Sequence, residues 1–211
     1  FTCQVRGKIG KLWREMKKFS NSTFEAIWNR SAVRAFSSQE IPEALLVELL
    51  ELANRAPSGF NLQPWHFILV RNEELRQLLK HVAMDQTQVA EAPSIVVFAA
   101  DPNAWKTSFE KILQLAQSNK SISEARAKRY RRLVRFVFRS GPLGLFGLAK
   151  KIIIPIRRLF TPTPLIPTSF GEAAQYMRSQ TMLSAATFMI AAKAAGLDTS
   201  PLEGFDEERL K

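Results

Sequence analysis

Residues Ala56-Pro57-Ser58-Gly59-Phe60-Asn61-Leu62-Gln63-Pro64-Trp65 decide how this chain is read. On their N-terminal side, Leu45, Leu46, Leu49, Leu50 and Ala53 recur at helical spacing behind Pro42, which suits a first helical position. On their C-terminal side, His66 to Val70 reads as a strand. The stretch between turns a helix into a strand, and little of it is needed for packing. Pro57 and Gly59 predict an unusual backbone path. Ser58, Asn61 and Gln63 add hydrogen-bonding groups without charge. Such a loop suits a flat, heteroatom-rich ligand. The plainer alternative is a connection with Trp65 as its core anchor.

Outward from this loop the elements alternate. A helix is expected over about Thr23 to Asn29, with Ser22 and Glu25 as a capping box. Glu73 to Ala83 reads as a helix, with His81 on its surface, and Ile95 to Ala100 as a short buried strand. His66 reads as structural. Trp105 to Gln117 and Ser121 to Arg139 look helical, and Gly141 to Ile156 mixes small, bulky and basic residues. Thr161 to Pro167 is too rich in proline to be an element. Phe170 to Ala195 reads as one long helix, apolar on most faces, stopped by Gly196. A further helix is expected from about Asp206.

The 211 residues allow one domain of ordinary size, or one domain with a large insertion. One cysteine, Cys3, excludes an internal disulfide framework, and His66 and His81 are too few for a histidine cluster. No segment reads as a confident transmembrane helix or a signal peptide. The first residue is Phe1, so the chain reads as a piece of a longer protein. The net charge is +11, and it has one source. From Ala125 to Gly171 there are eleven cations and no acid, so the remainder sums to zero.

Three separated motifs resemble the nitroreductase family, in that family's order. Arg30-Ser31-Ala32-Val33-Arg34-Ala35-Phe36 resembles its Arg-x-Ser-x-Arg-x-Phe segment. The resemblance gives Arg30 and Arg34 the phosphate and the ribityl and pyrimidine side of FMN, with Ser31 and Ala32 beside them. Ala32 stands where the family often has serine. The 56–65 loop resembles the segment that reaches the flavin of the other subunit, which implies Pro57, Ser58, Gly59 and Asn61. Pro201-Leu202-Glu203-Gly204-Phe205 is similar to the turn that lies against one flavin face. There the backbone N–H at the Glu203 position points at flavin N5. Ahead of the second strand, the resemblance implies Gln88 at the pyrimidine, with Gln86 as the alternative.

By resemblance, then, the fold is α+β: a central, mostly antiparallel sheet flanked by helices, in an intertwined homodimer with two FMN sites. Residues 22–101 and 170–211 would form the flavin-binding domain, lacking its C-terminal phosphate-binding part. Residues 1–21 would be a basic amphipathic extension, and 102–169 a basic, hydrophobic helical insertion or lid. The implied activity is ping-pong electron transfer from NAD(P)H through FMN to a nitroaromatic, quinone-like or similar acceptor, in the cytoplasm or at the membrane periphery. Since a flavin brings its own chemistry, the absence of a catalytic triad is no gap. A flavin-binding or membrane-binding module without turnover, its pocket blocked by the insertion, is the second hypothesis. Within residues 125–160 the cations alternate with Ile, Leu and Phe, the composition of a helix lying on anionic lipid. A merely solvated charged face is the bland alternative. Nucleic acid fits less well, because an Ile-Ile-Ile run offers it nothing.

Overall fold

The computed structural model describes residues 22–210. The expectations for residues 1–21, Cys3 among them, and for Lys211 lie outside the described residues. In chain order the elements are α1 Ser22–Asn29, α2 Glu43–Ala53, β1 Trp65–Val70, α3 Glu73–Val82, α4 Thr87–Glu91, β2 Ile95–Ala100, α5 Ser108–Ser118, α6 Glu124–Phe138, α7 Leu145–Arg158 and α8 Phe170–Ala194. Short 3-10 turns occupy Gly59–Asn61 and Pro142–Gly144. The fold is α+β, helix-rich around a small two-stranded antiparallel sheet.

β1 and β2 pair antiparallel from Trp65↔Ala100 to Val70↔Ile95. The register sets Phe67 opposite Phe98, whose ring meets Phe188 of α8 edge-on at 5.6 Å. The expected buried strand is corrected here. Every residue of β2 is only half-buried, because α8 covers one side of this two-stranded sheet. α2 packs on α8 through Leu49 and Ala53, its expected stripe.

α8 is the axis of the molecule. Ser169 caps it by accepting the Glu172 N–H at 3.2 Å. The Glu172 carboxylate accepts the Thr168 N–H at 2.8 Å, and that bond holds it below the usual carboxylate range. Ala173, Met177, Thr181, Ser184, Phe188 and Ala192 form one buried stripe down its length. The other faces keep apolar groups such as Met182 and Leu183 in the open. Gly196, at φ 80°, supplies the left-handed stop that glycine permits. Beyond it, residues 207–209 form a turn rather than the expected helix, since one bond, Leu210 N–H to Asp206 O, gives only a single helical turn.

The 102–169 segment is not a loose appendage. Val134, Val137 and Phe138 of α6 join Leu62, Ala173 and Met177 in one core cluster. Each fully buried side chain of this size contributes about 1.5–3 kcal/mol. Lys150 of α7, only 3% exposed, donates to the carbonyls of Val137, Arg139 and Pro167 at 2.9, 2.8 and 3.1 Å. It ties the end of α6, the start of α7 and the proline-rich connector together.

Candidate functional site

Val33 donates its N–H to the Thr199 carbonyl at 3.1 Å, and Ala32 forms a parallel bridge with Thr199. This contact carries the Arg30–Phe36 segment onto the chain that runs into Pro201–Gly204. Arg34 is exposed and Arg30 partly so, and neither guanidinium has an acidic partner among the described residues. The Thr199 hydroxyl is buried there without a partner. The N–H groups of Leu202, Glu203 and Gly204 donate to nothing among the described residues.

The turn is held from the other side by α3 and the segment after it. Gln86 donates its amide to the Gly204 carbonyl at 3.2 Å and to Ala83 at 3.0 Å. Gln88 stands one step behind, donating to the Gln86 side-chain oxygen at 2.8 Å. Gln86, the alternative, is therefore the amide that touches the turn. Asp206 bonds back to Val82 at 2.9 Å, and Glu207 pairs with Arg178 of α8 at 2.6 Å. Ser31, Ala32, Gln86, Gln88 and residues 201–204 thus share one neighbourhood.

The 56–65 loop is built separately. Ser58 accepts the Gln63 N–H at 2.9 Å and closes the loop on itself. Trp65 is buried and bonds Asn54 at 2.9 Å, so the anchor role holds alongside any other. Gly59 donates its N–H to the Gln180 side chain at 2.7 Å. The unusual backbone falls on Phe60, Asn61 and Gln63, at φ 57°, 53° and 44°, while Gly59 is not left-handed. Glycine is needed at 59 for another reason. A Cβ there would lie 1.8 Å from the Tyr176 hydroxyl oxygen. Gly59→Ala is expected to cost about 1–3 kcal/mol of stability through overpacking. Adding Tyr176→Phe, which removes that oxygen, should recover most of the loss in a thermal melt.

Tyr176 and Gln180 were not legible as site residues. They lie in the polar stretch Gln175 to Thr181 of the helix, where nothing local marks these two among their neighbours. Burial pushes the Tyr176 phenol up, and its ring meets Phe138 at 5.2 Å. Phe60 also meets Phe138, at 6.0 Å, so α6 lies directly on the loop.

α8 separates these two groups. At about 100° per residue, Tyr176 and Gln180 share one flank of the helix and Arg178 lies on the opposite flank. The loop 57–61 sits on the first flank and the 201–207 turn is tied to the second. One chain therefore brings together the first and third motifs and keeps the second apart. A surface cleft of about 570 Å³, lined by Ser38, Glu40, Arg71 and Arg76, shares no residue with any motif.

The residues present fit FMN. Two guanidiniums, a buried hydroxyl and backbone N–H groups that have no partner among the described residues, together with side-chain amides, are the groups its phosphate, ribityl chain and ring edge require.

Residues 27–211 match the model of the nitroreductase family. A Thermus thermophilus protein named NADH dehydrogenase is 42% identical over 76 residues, 36% of this chain and 37% of that protein. YodC of Bacillus subtilis, whose name includes NAD(P)H nitroreductase, is 27% identical over 191 residues, 90% of this chain and 80% of that protein. An Exiguobacterium sibiricum structure that holds FMN superposes with a TM-score of 0.64 at 20% identity, covering 90% of this chain and 79% of that one.

Proposed function

The chain belongs to the nitroreductase family, and on that premise we propose that it is an FMN-dependent oxidoreductase. It takes two electrons from NADH or NADPH and passes them to a nitroaromatic, quinone-like or other hydrophobic acceptor, in alternating half-reactions. The observation that carries this is the Val33–Thr199 bond, which joins the arginine segment to the 201–204 turn.

When bound, FMN supplies the two-electron chemistry. Arg30 and Arg34 hold its phosphate and ribityl side, with Ser31, Ala32 and the Thr199 hydroxyl beside them. Gln86 and Gln88 serve the ring edge. Pro201, Leu202 and Gly204 would help to hold the ring, and the Glu203 N–H would offer it a donor that favours added negative charge. Pro57, Ser58, Gly59 and Asn61, across α8, serve the ring held by a second copy. The proposed assembly is accordingly a homodimer, in which the open apolar groups of α8, Met182 and Leu183 among them, meet their equivalents. It works in the cytoplasm, against an anionic lipid surface reached through residues 125–160.

The test is a visible spectrum. Purified protein should be yellow, NADH or NADPH should bleach it, and a quinone should restore the colour. Yellow protein that neither nicotinamide bleaches would mark a flavin-binding module without turnover. Colourless protein that takes up no added FMN would refute the proposal.

A further inference from the structure

α7 has two unlike faces. Gly147, Lys150 and Ile154 point inward and are buried. At about 100° per residue, Leu148, Ile152, Ile156 and Leu159 fall on the opposite side. They are between 54% and 80% exposed. Lys151, Arg157 and Arg158 stand on the flanks between. α6 beside it buries Ala127, Val134, Val137 and Phe138 and turns Lys128, Arg132, Arg135 and Arg139 outward. Phe136 of α6 meets Phe146 of α7 edge-on at 5.9 Å, which sets the two helices side by side. Lys150 of α7, bonded to the last carbonyls of α6, fixes the pair beneath it.

We propose that α6 and α7 form one platform that rests on an anionic lipid bilayer. The outward face of α7 enters the acyl boundary, and the cations of α6 and of the α7 flanks engage headgroup phosphates. Charge selects this occupant. No acid lies between Ala125 and Gly171, and Arg131 and Arg135 reach outside the segment, to Glu110, for theirs. Lys128, Arg132, Arg139, Arg157 and Arg158 have no ion pair among the described residues. A second copy of the platform would bring the same sign, as would residues 1–20 with their six cations. A nucleic acid would satisfy the cations and leave the apolar face wet. With 14 residues, α7 is about 21 Å long, short of a hydrocarbon core of about 30 Å. No described helix is long and apolar enough to cross a membrane, so the platform lies on the surface.

Phe138 of the same α6 packs on Phe60 and Tyr176. The platform therefore adjoins the ligand loop, which deepens the hydrophobic-acceptor proposal and for that link alone rests on it. Docking itself is read without flavin turnover.

The experiment is sedimentation of the whole chain with phosphatidylcholine vesicles, with and without phosphatidylserine. The protein should pellet only with the anionic vesicles and be released as salt shortens the screening length to roughly 3 Å at 1 M. Leu148→Glu with Ile152→Glu and Ile156→Glu changes exposed groups only, so the melting temperature and FMN uptake should hold while vesicle affinity falls more than tenfold. Arg132→Glu with Arg139→Glu should lower it by roughly fivefold per residue or more. Equal binding to both vesicle types, no binding to either, or binding untouched by both variants would overturn the proposal. So would a self-association that the triple variant dissolves without any vesicle binding. Colourless protein that still pellets with anionic vesicles would sink the flavin proposal and leave the platform standing.

Discussion

Replacing Arg30 and Arg34 together by alanine should weaken FMN binding by about 3–6 kcal/mol, at least about a hundredfold. Each charge-assisted hydrogen bond to a phosphate contributes roughly 1.5–3 kcal/mol. No carboxylate is set free by the change, because neither arginine has an acidic partner among the described residues, so nothing offsets the loss. The backbone contact of this segment, Val33 N–H to Thr199 O, does not depend on the side chains. The melting temperature of the flavin-free protein should therefore stay close to that of the parent. Titrating apoprotein with FMN and following flavin fluorescence separates the two effects. Lysine at both positions should fall between parent and alanine, since it keeps the charge and loses the forked donor. Parental affinity in the alanine pair would remove the phosphate assignment.

Lys150→Met should lower stability by about 3–5 kcal/mol, with a melting point roughly 10 °C below the parent. Methionine fills a similar volume but leaves three carbonyls, those of Val137, Arg139 and Pro167, facing an apolar group. An orphaned buried acceptor costs about 1–3 kcal/mol. The same lysine gives a pH signature. Burial draws its pKa below the ordinary 10.5, and Glu172 pulls partly back. The unfolded chain then binds more protons than the folded one just below 10.5, so this group's contribution to stability rises with pH across that window. Denaturant unfolding at several alkaline pH values should show the rise in the parent and a flatter line in Lys150→Met. A methionine variant as stable as the parent would mean that the hairpin is held by its rings alone.

How far the sequence carries depends on how local each cause is. The stop at Gly196 was legible because the helix and its left-handed terminator are adjacent in the chain. So were β1 and β2, whose β-branched and aromatic runs are bounded by turn residues. Gly59 was legible as a special position, but for the wrong reason. Its real constraint is Tyr176, and its N–H partner, Gln180, lies 121 residues further on. Asn61 tolerates the left-handed region, as its type allows, whereas nothing local announces it at Phe60. Lys150 reads as one more member of a charge run. Only the tertiary fold gathers the three carbonyls that let it be buried. Gln86 and Gln88 are both candidates in the sequence, and only the fold shows that Gln86 reaches the Gly204 carbonyl while Gln88 reaches Gln86. The helix expected from about Asp206 is, among the described residues, a single turn over 207–209.

In the proposed isologous pair, α8 would stand as a wall between two half-sites, each completed by the other chain. Any one substitution in such an assembly strikes twice, once per cavity. A hybrid of one chain damaged at Arg30 and another damaged at Gly59 would be uneven instead. One of its cavities would inherit both lesions and the other neither, so two inert parents would yield offspring with a single sound chamber.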